Sequence, residues 1–249
     1  MPLDQNQKER YSRMIALRDI NESDVERVLR SSVAMVGAGG IGSPTLRLLT
    51  SLGFGTIRII DKDNVELHNL QRQNIYTTKD LGKPKATAAA ANLSSLNKDI
   101  KFEPIVEEIT KENSLAFLND IDVIVDGLDS FSARHVVNQA SIRYRTPYVF
   151  SGAVEYFSNI STFIPGVTGC FECTFSGVED APRAKAENIG VSPSLLTLIS
   201  GIVAQETFLI VIGKPPKLAG KMMTIDIHSL SFDLIEIERN PDCLFCSNI

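Results

Sequence analysis

Residues 31–61, SSVAMVGAGGIGSPTLRLLTSLGFGTIRIID, constrain the fold more than any other stretch of this chain. A short β-branched run ends in a cluster of glycines, and a helical segment follows. A Gly-bounded turn then leads into a second β-branched run that closes on Asp61. Strand, helix and strand in so short a span form a βαβ unit, which belongs to a parallel sheet. Gly37, Gly39, Gly40 and Gly42 let the backbone approach phosphates closely, and the helix beyond offers free N–H groups at its positive end. Asp61 stands about twenty residues on, where an acidic side chain accepts ribose hydroxyls. A nucleotide site is expected, and the motif alone does not choose among NAD, FAD and ATP.

The alternation continues. KPKATAAAANLSSLN reads as a helix, IKFEPIVEEI as a strand, KENSLAFLND as a short helix and DVIVDGLD as a fully buried strand. A helix near Ser132–Arg143 and a strand at PYVFSGAV complete a doubly wound, mostly parallel, Rossmann-like α/β sheet. Beyond Val154 the pattern changes. NISTFIPG and KMMTIDIHSLSFDLIEIE alternate and carry turn signals, so antiparallel strands are expected to extend the sheet. Residues 1–30 read as an N-terminal helical arm, with Val25, Val28 and Leu29 at helical spacing. Residues 175–192 form a charged, Pro- and Gly-containing crossing of the length that is functional or mobile in compact domains. Neither a repeat nor a linker interrupts the 249 residues, so one domain is expected, divided into halves at 31–153 and 154–249.

The net charge of −5 speaks against a nucleic-acid partner, which usually requires a basic face. The first residues lack the apolar core of a secretory signal. SPSLLTLISGIVAQETFLIVIG is nearly long enough to span a bilayer, but Gln205 and Glu206 near its middle would be costly in hydrocarbon. It reads as a buried core or dimer-interface helix, and the chain as cytoplasmic with no membrane partner.

DKDNVELHNLQRQNIYTTKDLGKPKA, which follows the second strand, discriminates between nucleotides. It carries Asn69, Arg72, Gln73, Lys83 and Lys85. A dehydrogenase has no need of so many cations and amides here, whereas a site that stabilises charge on a transferring phosphoryl group does. A nicotinamide or flavin oxidoreductase, the reading that the glycines and Asp61 would also permit, lacks a Tyr-Lys or His-centred constellation for hydride transfer. The four cysteines form two pairs, Cys170 with Cys173 and Cys243 with Cys246. Two Cys-x-x-Cys pairs at this separation fit a closed, structural zinc site with four thiolate ligands. A disulfide is disfavoured in a reducing compartment, and CLFC lacks the helix that follows a redox dithiol.

RYSRMIALRD, GAGGIGSP, DKDNVELHNLQRQ, GKPKA, DGLDS and the two cysteine pairs occur in this order. The combination resembles the E1-like family of ubiquitin-type activating enzymes, in particular the adenylyltransferases of molybdopterin and thiamine biosynthesis, over nearly the whole chain. The resemblance implies adenylation, with Mg-ATP, of the C-terminal glycine carboxylate of a small ubiquitin-like β-grasp protein ending in Gly-Gly. It places the loop glycines against the ATP phosphates and Asp61 on the ribose, with Asn69, Arg72, Gln73 and Lys85 around the triphosphate. The residues alone leave Asp126 and Asp129 as equal candidates for Mg2+; the resemblance favours Asp129. Ser130 stands where many members have Asn, which puts an amide contact to the nucleotide in doubt.

Arg13 matches the family's arginine finger, which reaches into the partner subunit's site and implies a homodimer; an ordinary salt bridge on the arm is the alternative. The second half, 154–249, becomes the partner-binding and zinc half. Many relatives carry a further cysteine in the crossover loop, at a position that falls near Ala186 here. With all four thiols given to zinc, no thioester is expected. The reaction would stop at the acyl-adenylate, and a separate sulfur donor or acceptor, in the absence of a rhodanese-like extension, would attack it. His68, His135 and His228 need no catalytic role. A non-catalytic scaffold that binds ATP and a ubiquitin-like partner is the alternative that Ser130 and Ala186 keep open. The choice among molybdopterin, thiamine, tRNA-thiolation and conjugation pathways stays open too.

Overall fold

The computed structural model describes residues 2–180 and 189–249. Ala186 and the middle of the expected crossing, residues 181–188, lie outside the described residues. Five strands, β1 (Ser32–Val36), β2 (Thr56–Ile60), β3 (Lys101–Ile105), β4 (Val123–Asp126) and β5 (Tyr148–Val154), pair in parallel. β6 (Phe157–Phe163), β7 (Lys221–Asp226) and β8 (Ser231–Glu236) continue the sheet antiparallel. The order is β3-β2-β1-β4-β5-β6-β7-β8. The expected architecture is therefore present, antiparallel extension included. Pro104, which cannot donate to a ladder, sits on the edge strand β3, where such a residue is tolerated.

The helices are α1 (Gln5–Ile15), α2 (Glu22–Arg30), α3 (Gly42–Leu52), α4 (Lys85–Ser94), α5 (Ser114–Phe117), α6 (Phe131–Tyr144), α7 (Phe171–Phe175) and α8 (Pro193–Val211). The N-terminal arm is two helices, each opened by a capping box, Asp4 with Gln7 and Asn21 with Asp24. It is part of the core, because Tyr11, Val25 and Val28 are buried with Leu46 and Leu49 of α3. α3 stops where Gly53 adopts φ +91 and its N–H reaches back to Leu49 O and Thr50 O.

Strand side chains alternate between two apolar layers. Val33, Met35, Val123 and Val125 face the layer of α3, α4 and α8, whereas Ala34, Val36 and Ile124 face that of α6. β4 is buried at all four positions, as its uninterrupted apolar run predicts for a central parallel strand. Each fully buried Leu or Val here contributes about 1.5–3 kcal/mol of transfer free energy.

Among the described residues α8 is the one helix long and apolar enough to cross a membrane. It packs against α3 and the sheet, burying Leu195, Leu196, Ile199, Val203 and Phe208. Glu206, buried in it, is fully used: its carboxylate accepts from Thr162 Oγ1 and from the Lys217 and Leu218 amides, each at 2.8 Å. A buried carboxylate with three donors is structurally committed, and α8 is the core helix the sequence suggested.

Candidate nucleotide site and metal centre

In an open α/β sheet, ligands lie beyond the strand carboxyl ends where the strand order reverses. Here that point lies between β1 and β4, and the residues that follow them, Gly37 and Gly127, touch. The Gly37 amide donates to Ile60 O and the Gly127 amide to Val36 O, both at 2.8 Å. A Cβ on Gly37, which has φ +92, would lie 2.5 Å from Gly127 O, and one on Gly42 would lie 2.0 Å from Gly37 O. Gly37 and Gly42 are thus required by backbone packing. Gly39 and Gly40 border the cationic segment: a Cβ on Gly39 would come within 3.8 Å of Gln73 Nε2, and one on Gly40 within 3.7 Å of Arg72 Nε, although it would first meet the Leu196 side chain of α8 at 2.9 Å. Of the four glycines, this pair borders the groups that could meet phosphate.

Asp61 closes β2 and reaches back to the loop. Its carboxylate accepts from the Ala38 amide at 2.7 Å and the Asp63 amide at 2.8 Å. Burial pushes the Asp61 carboxyl up, while those amides and the Lys85 charge favour the anion. Tyr76, which the sequence reading passed over, holds the other side of the same residue by donating to Ala38 O at 3.0 Å. The loop is therefore gripped at both the N–H and the C=O of Ala38. Burial and the nearby Asp61 charge push the Tyr76 hydroxyl far above its ordinary range, so it stays a donor.

The segment between β2 and α4 separates into working and structural parts. Lys85 opens α4 with its side chain 8% exposed and its ammonium 2.9 Å from Asp63 Oδ2. Gln73 is buried, and its amide oxygen has no partner among the described residues, so a ligand donor could satisfy it. Arg72, half-buried, donates to His68 O at 2.9 Å and lies beside Gly40. Asn69 is buried, and its carboxamide oxygen accepts the Glu66 amide at 3.0 Å, which shapes the turn carrying Arg72 and Gln73. Lys83, itself exposed, points away and pairs with the buried Asp80 at 3.1 Å. Asp80 anchors this turn to α4 through Asn92 Nδ2 at 2.9 Å.

Beyond β4 the two aspartates differ sharply. Asp126 is fully buried, and its Oδ2 accepts from Arg134 Nε at 3.0 Å and Tyr148 Oη at 2.7 Å, while Oδ1 accepts the Leu128 amide at 2.7 Å. Asp129 is exposed on the following turn and has no hydrogen-bond or ion-pair partner among the described residues. Its charge is felt by Lys62 at the end of β2 and by Arg134. Geometry therefore leaves Asp129 as the aspartate free to hold a cation. Ser130 serves as the N-cap of α6, its hydroxyl accepting the Ala133 amide at 3.4 Å.

Arg13 lies in the last turn of α1, exposed. Tyr11, two residues earlier, packs on Gly53 at the far end of α3 from the glycine loop. With 11 residues, α3 spans about 16 Å at 1.5 Å per residue, which separates the end where Tyr11 packs from the glycine loop. Of the histidines, His68 pairs with Glu66 at 3.2 Å and the His228 ring lies tilted against Tyr156, with 5.4 Å between centroids. His135 bridges Glu172 at 2.5 Å and Val178 O at 3.2 Å.

The four cysteines converge from α7 and the C-terminal segment, their sulfurs lying within 4.8 Å of one another. The Cys170–Cys173, Cys170–Cys243 and Cys173–Cys246 separations are 3.9, 3.8 and 3.5 Å. Four thiolates at about 2.3 Å from a central zinc ion would stand about 3.8 Å apart, so the donor set fits tetrahedral zinc. Arg239 secures the C-terminal knuckle by donating to Cys246 O and, at 2.8 Å, to Ile249 O.

A glycine turn at the switch point, an acid gripping it and a cationic edge define an α/β nucleotide-binding protein. The ThiF family profile matches residues 11–245, and the chain belongs to that family. It is 33% identical to the sulfur carrier protein adenylyltransferase of Thermus thermophilus, across 96% of this chain and 91% of that one. It is 31% identical to the SAMP-activating enzyme E1 of Haloferax volcanii, across 99% and 91% of the two chains. Escherichia coli MccB crystallised with ATP superposes with a TM-score of 0.85 at 25% identity, covering 96% of this chain and 75% of that one. These relatives set the chain among the E1-like adenylyltransferases.

Proposed function

We propose that this chain adenylates the C-terminal glycine carboxylate of a ubiquitin-like β-grasp sulfur carrier or modifier ending in Gly-Gly, using Mg-ATP. The observation that carries the reading is the arrangement at the switch point. Arg72 and Gln73 border Gly39 and Gly40, Lys85 lies buried beside Asp63, and Asp129, on the adjoining turn, has no partner among the described residues. The name of the Thermus relative supports a sulfur carrier protein as the substrate.

The chemistry asked of these residues is positioning and charge neutralisation. A glycine carboxylate is ionised at neutral pH, so no general base is needed. One carboxylate oxygen forms a bond to the α-phosphorus, the bond to the β-phosphate oxygen breaks, and pyrophosphate leaves with that electron pair. Arg72 and Lys85 offset the charge that collects on the phosphoryl oxygens. Asp61 takes the ribose, and Asp129 would hold Mg2+, which draws charge from the phosphate oxygens. Arg13 is proposed to complete the site of the partner subunit in a homodimer; it is exposed, and α1 packs through Tyr11 at the end of α3 away from its own loop.

With Cys170, Cys173, Cys243 and Cys246 engaged by zinc, a thioester would require dismantling the metal centre, and the sequence holds no fifth cysteine. The product is therefore held as acyl-adenylate for a separate sulfur donor or acceptor protein. Four metal-binding thiolates also suit a reducing compartment, which supports a cytoplasmic enzyme.

ATP–pyrophosphate exchange tests the reading. Exchange is expected only when a Gly-Gly-terminated β-grasp protein is present, and to vanish when its last glycine is removed. ATP binding without exchange, across carriers of the molybdopterin, thiamine and tRNA-thiolation types, would replace the enzyme with a scaffold.

A further inference from the structure

Beneath the site lies a buried polar network that the proposed reaction does not itself use. Asp126, at the end of β4, and Arg134, in the first turn of α6, form an ion pair with side-chain exposures of 0% and 7%. Removing two charges from water costs several kcal/mol per ion after relaxation, and apolar replacements of such pairs are often equally stable. Stability alone is a weak reason for this one.

Its geometry suggests another. The two members of the pair hold opposite ends of one residue. Asp126 Oδ1 accepts the Leu128 amide at 2.7 Å, and Arg134 Nη2 donates to the Leu128 carbonyl at 2.6 Å. The same Nη2 reaches Ser151 O of β5 at 3.0 Å, and Ser151 Oγ donates to Asp126 O at 2.9 Å. Tyr148 of β5 donates to Asp126 Oδ2, and the rings of Phe131 and Phe150 lie 5.6 and 5.2 Å from the guanidinium carbon. Below, Gly127 is pressed against the glycine loop, where a Cβ would come 2.4 Å from Gly37 O. Gly127 and Leu128, the two residues between β4 and Asp129, are thereby fixed to β1, β4 and α6. The residue next in line, Asp129, has no hydrogen-bond or ion-pair partner among the described residues.

We infer that Arg134, Asp126 and Tyr148 are positioning residues that set the turn carrying Asp129 against the glycine loop, so that its carboxylate meets a nucleotide-bound divalent cation. The inference rests on the proposed role of Asp129. Arg134 suits the task because its planar fork serves Asp126, Leu128 and Ser151 together; a lysine keeps the charge but cannot span the three. Outer partners of metal-holding groups typically govern affinity by 10–100-fold.

The test compares ATP binding in excess Mg2+ with ATP binding in chelator, by calorimetry, for the parent, Arg134→Lys, Tyr148→Phe and Asp129→Asn. Arg134→Lys is expected to lose about tenfold of the Mg2+-dependent gain in affinity while metal-free ATP binding stays within about twofold. Tyr148→Phe, which keeps the ion pair and leaves no void, is expected to lose about threefold in the same direction. It carries the test if Arg134→Lys does not fold. A Mg2+-dependent gain that survives in both variants but disappears in Asp129→Asn overturns the positioning role and leaves the Asp129 role standing. A gain that survives in Asp129→Asn overturns the reading on which the inference rests. Equal losses with and without Mg2+ mark a merely structural role and also overturn it.

Discussion

Lys85→Met separates catalysis from stability. Methionine keeps the apolar stem that lies in the buried start of α4 and removes only the ammonium. The partner lost is Asp63, whose side chain is 54% exposed and can return to water. An ion pair with one solvated member contributes about 0–1 kcal/mol, so Tm should fall by no more than about 2–4 °C for a chain of this size. The effect on the reaction is of another order. Withdrawing one preorganised donor from a site where charge develops costs about 100–1,000-fold in kcat, or about 2.7–4 kcal/mol. Carrier-dependent ATP–pyrophosphate exchange, measured beside a thermal melt, reads both quantities on the same sample. Exchange within about threefold of the parent would remove Lys85 from the catalytic set. A melt lowered by tens of degrees would show that its charge holds the fold instead.

Other consequences can be checked independently. Arg13→Ala and Asp129→Ala are each expected to be inactive alone. Mixed as dimers they should regain about a quarter of parental exchange, because half the dimers are mixed and one of their two sites is whole; no recovery, with subunit exchange verified, would mean that Arg13 does not act across the interface. Burial would raise the Asp80 carboxyl, but hydrogen bonds from Asn92, Thr77 and Lys83 outweigh it and hold the pKa down to about 2, against 3.8 when unperturbed. A depressed carboxyl stabilises the fold fully above its unfolded pKa and ceases to do so as pH falls through the folded one. The stability advantage of the parent over Asp80→Asn, from denaturant melts, should therefore be constant near neutrality and shrink between about pH 4 and pH 2; an advantage that grows on acidification would contradict the assignment. Purified protein should hold one zinc ion per chain by metal analysis. Cys243→Ser or chelation should lower Tm by about 5 °C or more, and a chelator-insensitive melt would argue against a structural metal.

Much of the fold was legible because its signals are local. The run Ser32–Val36 into Gly37 announces its strand and turn by composition, and DVIVD announces β4 by having no polar break. The cysteine pairs are legible because ligand spacing within each knuckle is set by the metal. What the sequence concealed depends on partners distant along the chain. Asp126 and Asp129 look alike until Arg134 and Tyr148 are seen closing on the first. Lys83 and Lys85 lie two residues apart, yet the first stays exposed and pairs with Asp80 while the other turns inward at the start of α4. Gly37 and Gly42 resemble Gly39 and Gly40 in sequence, and only the folded backbone, with Gly127 O against Gly37 and Gly37 O against Gly42, reveals which pair is closed in by backbone. Tyr76 gave no signal, since its hydroxyl meets Ala38 through a loop closure of 38 residues.

The central claim is that the chain activates a carrier as its acyl-adenylate and forms no covalent bond to it. Intact-mass spectrometry of chain, carrier and Mg-ATP, with pyrophosphatase present and without reductant, reads this directly. The account predicts a carrier heavier by one adenylyl group and a chain of unchanged mass. A chain heavier by one carrier, reversed by thiol, would contradict it.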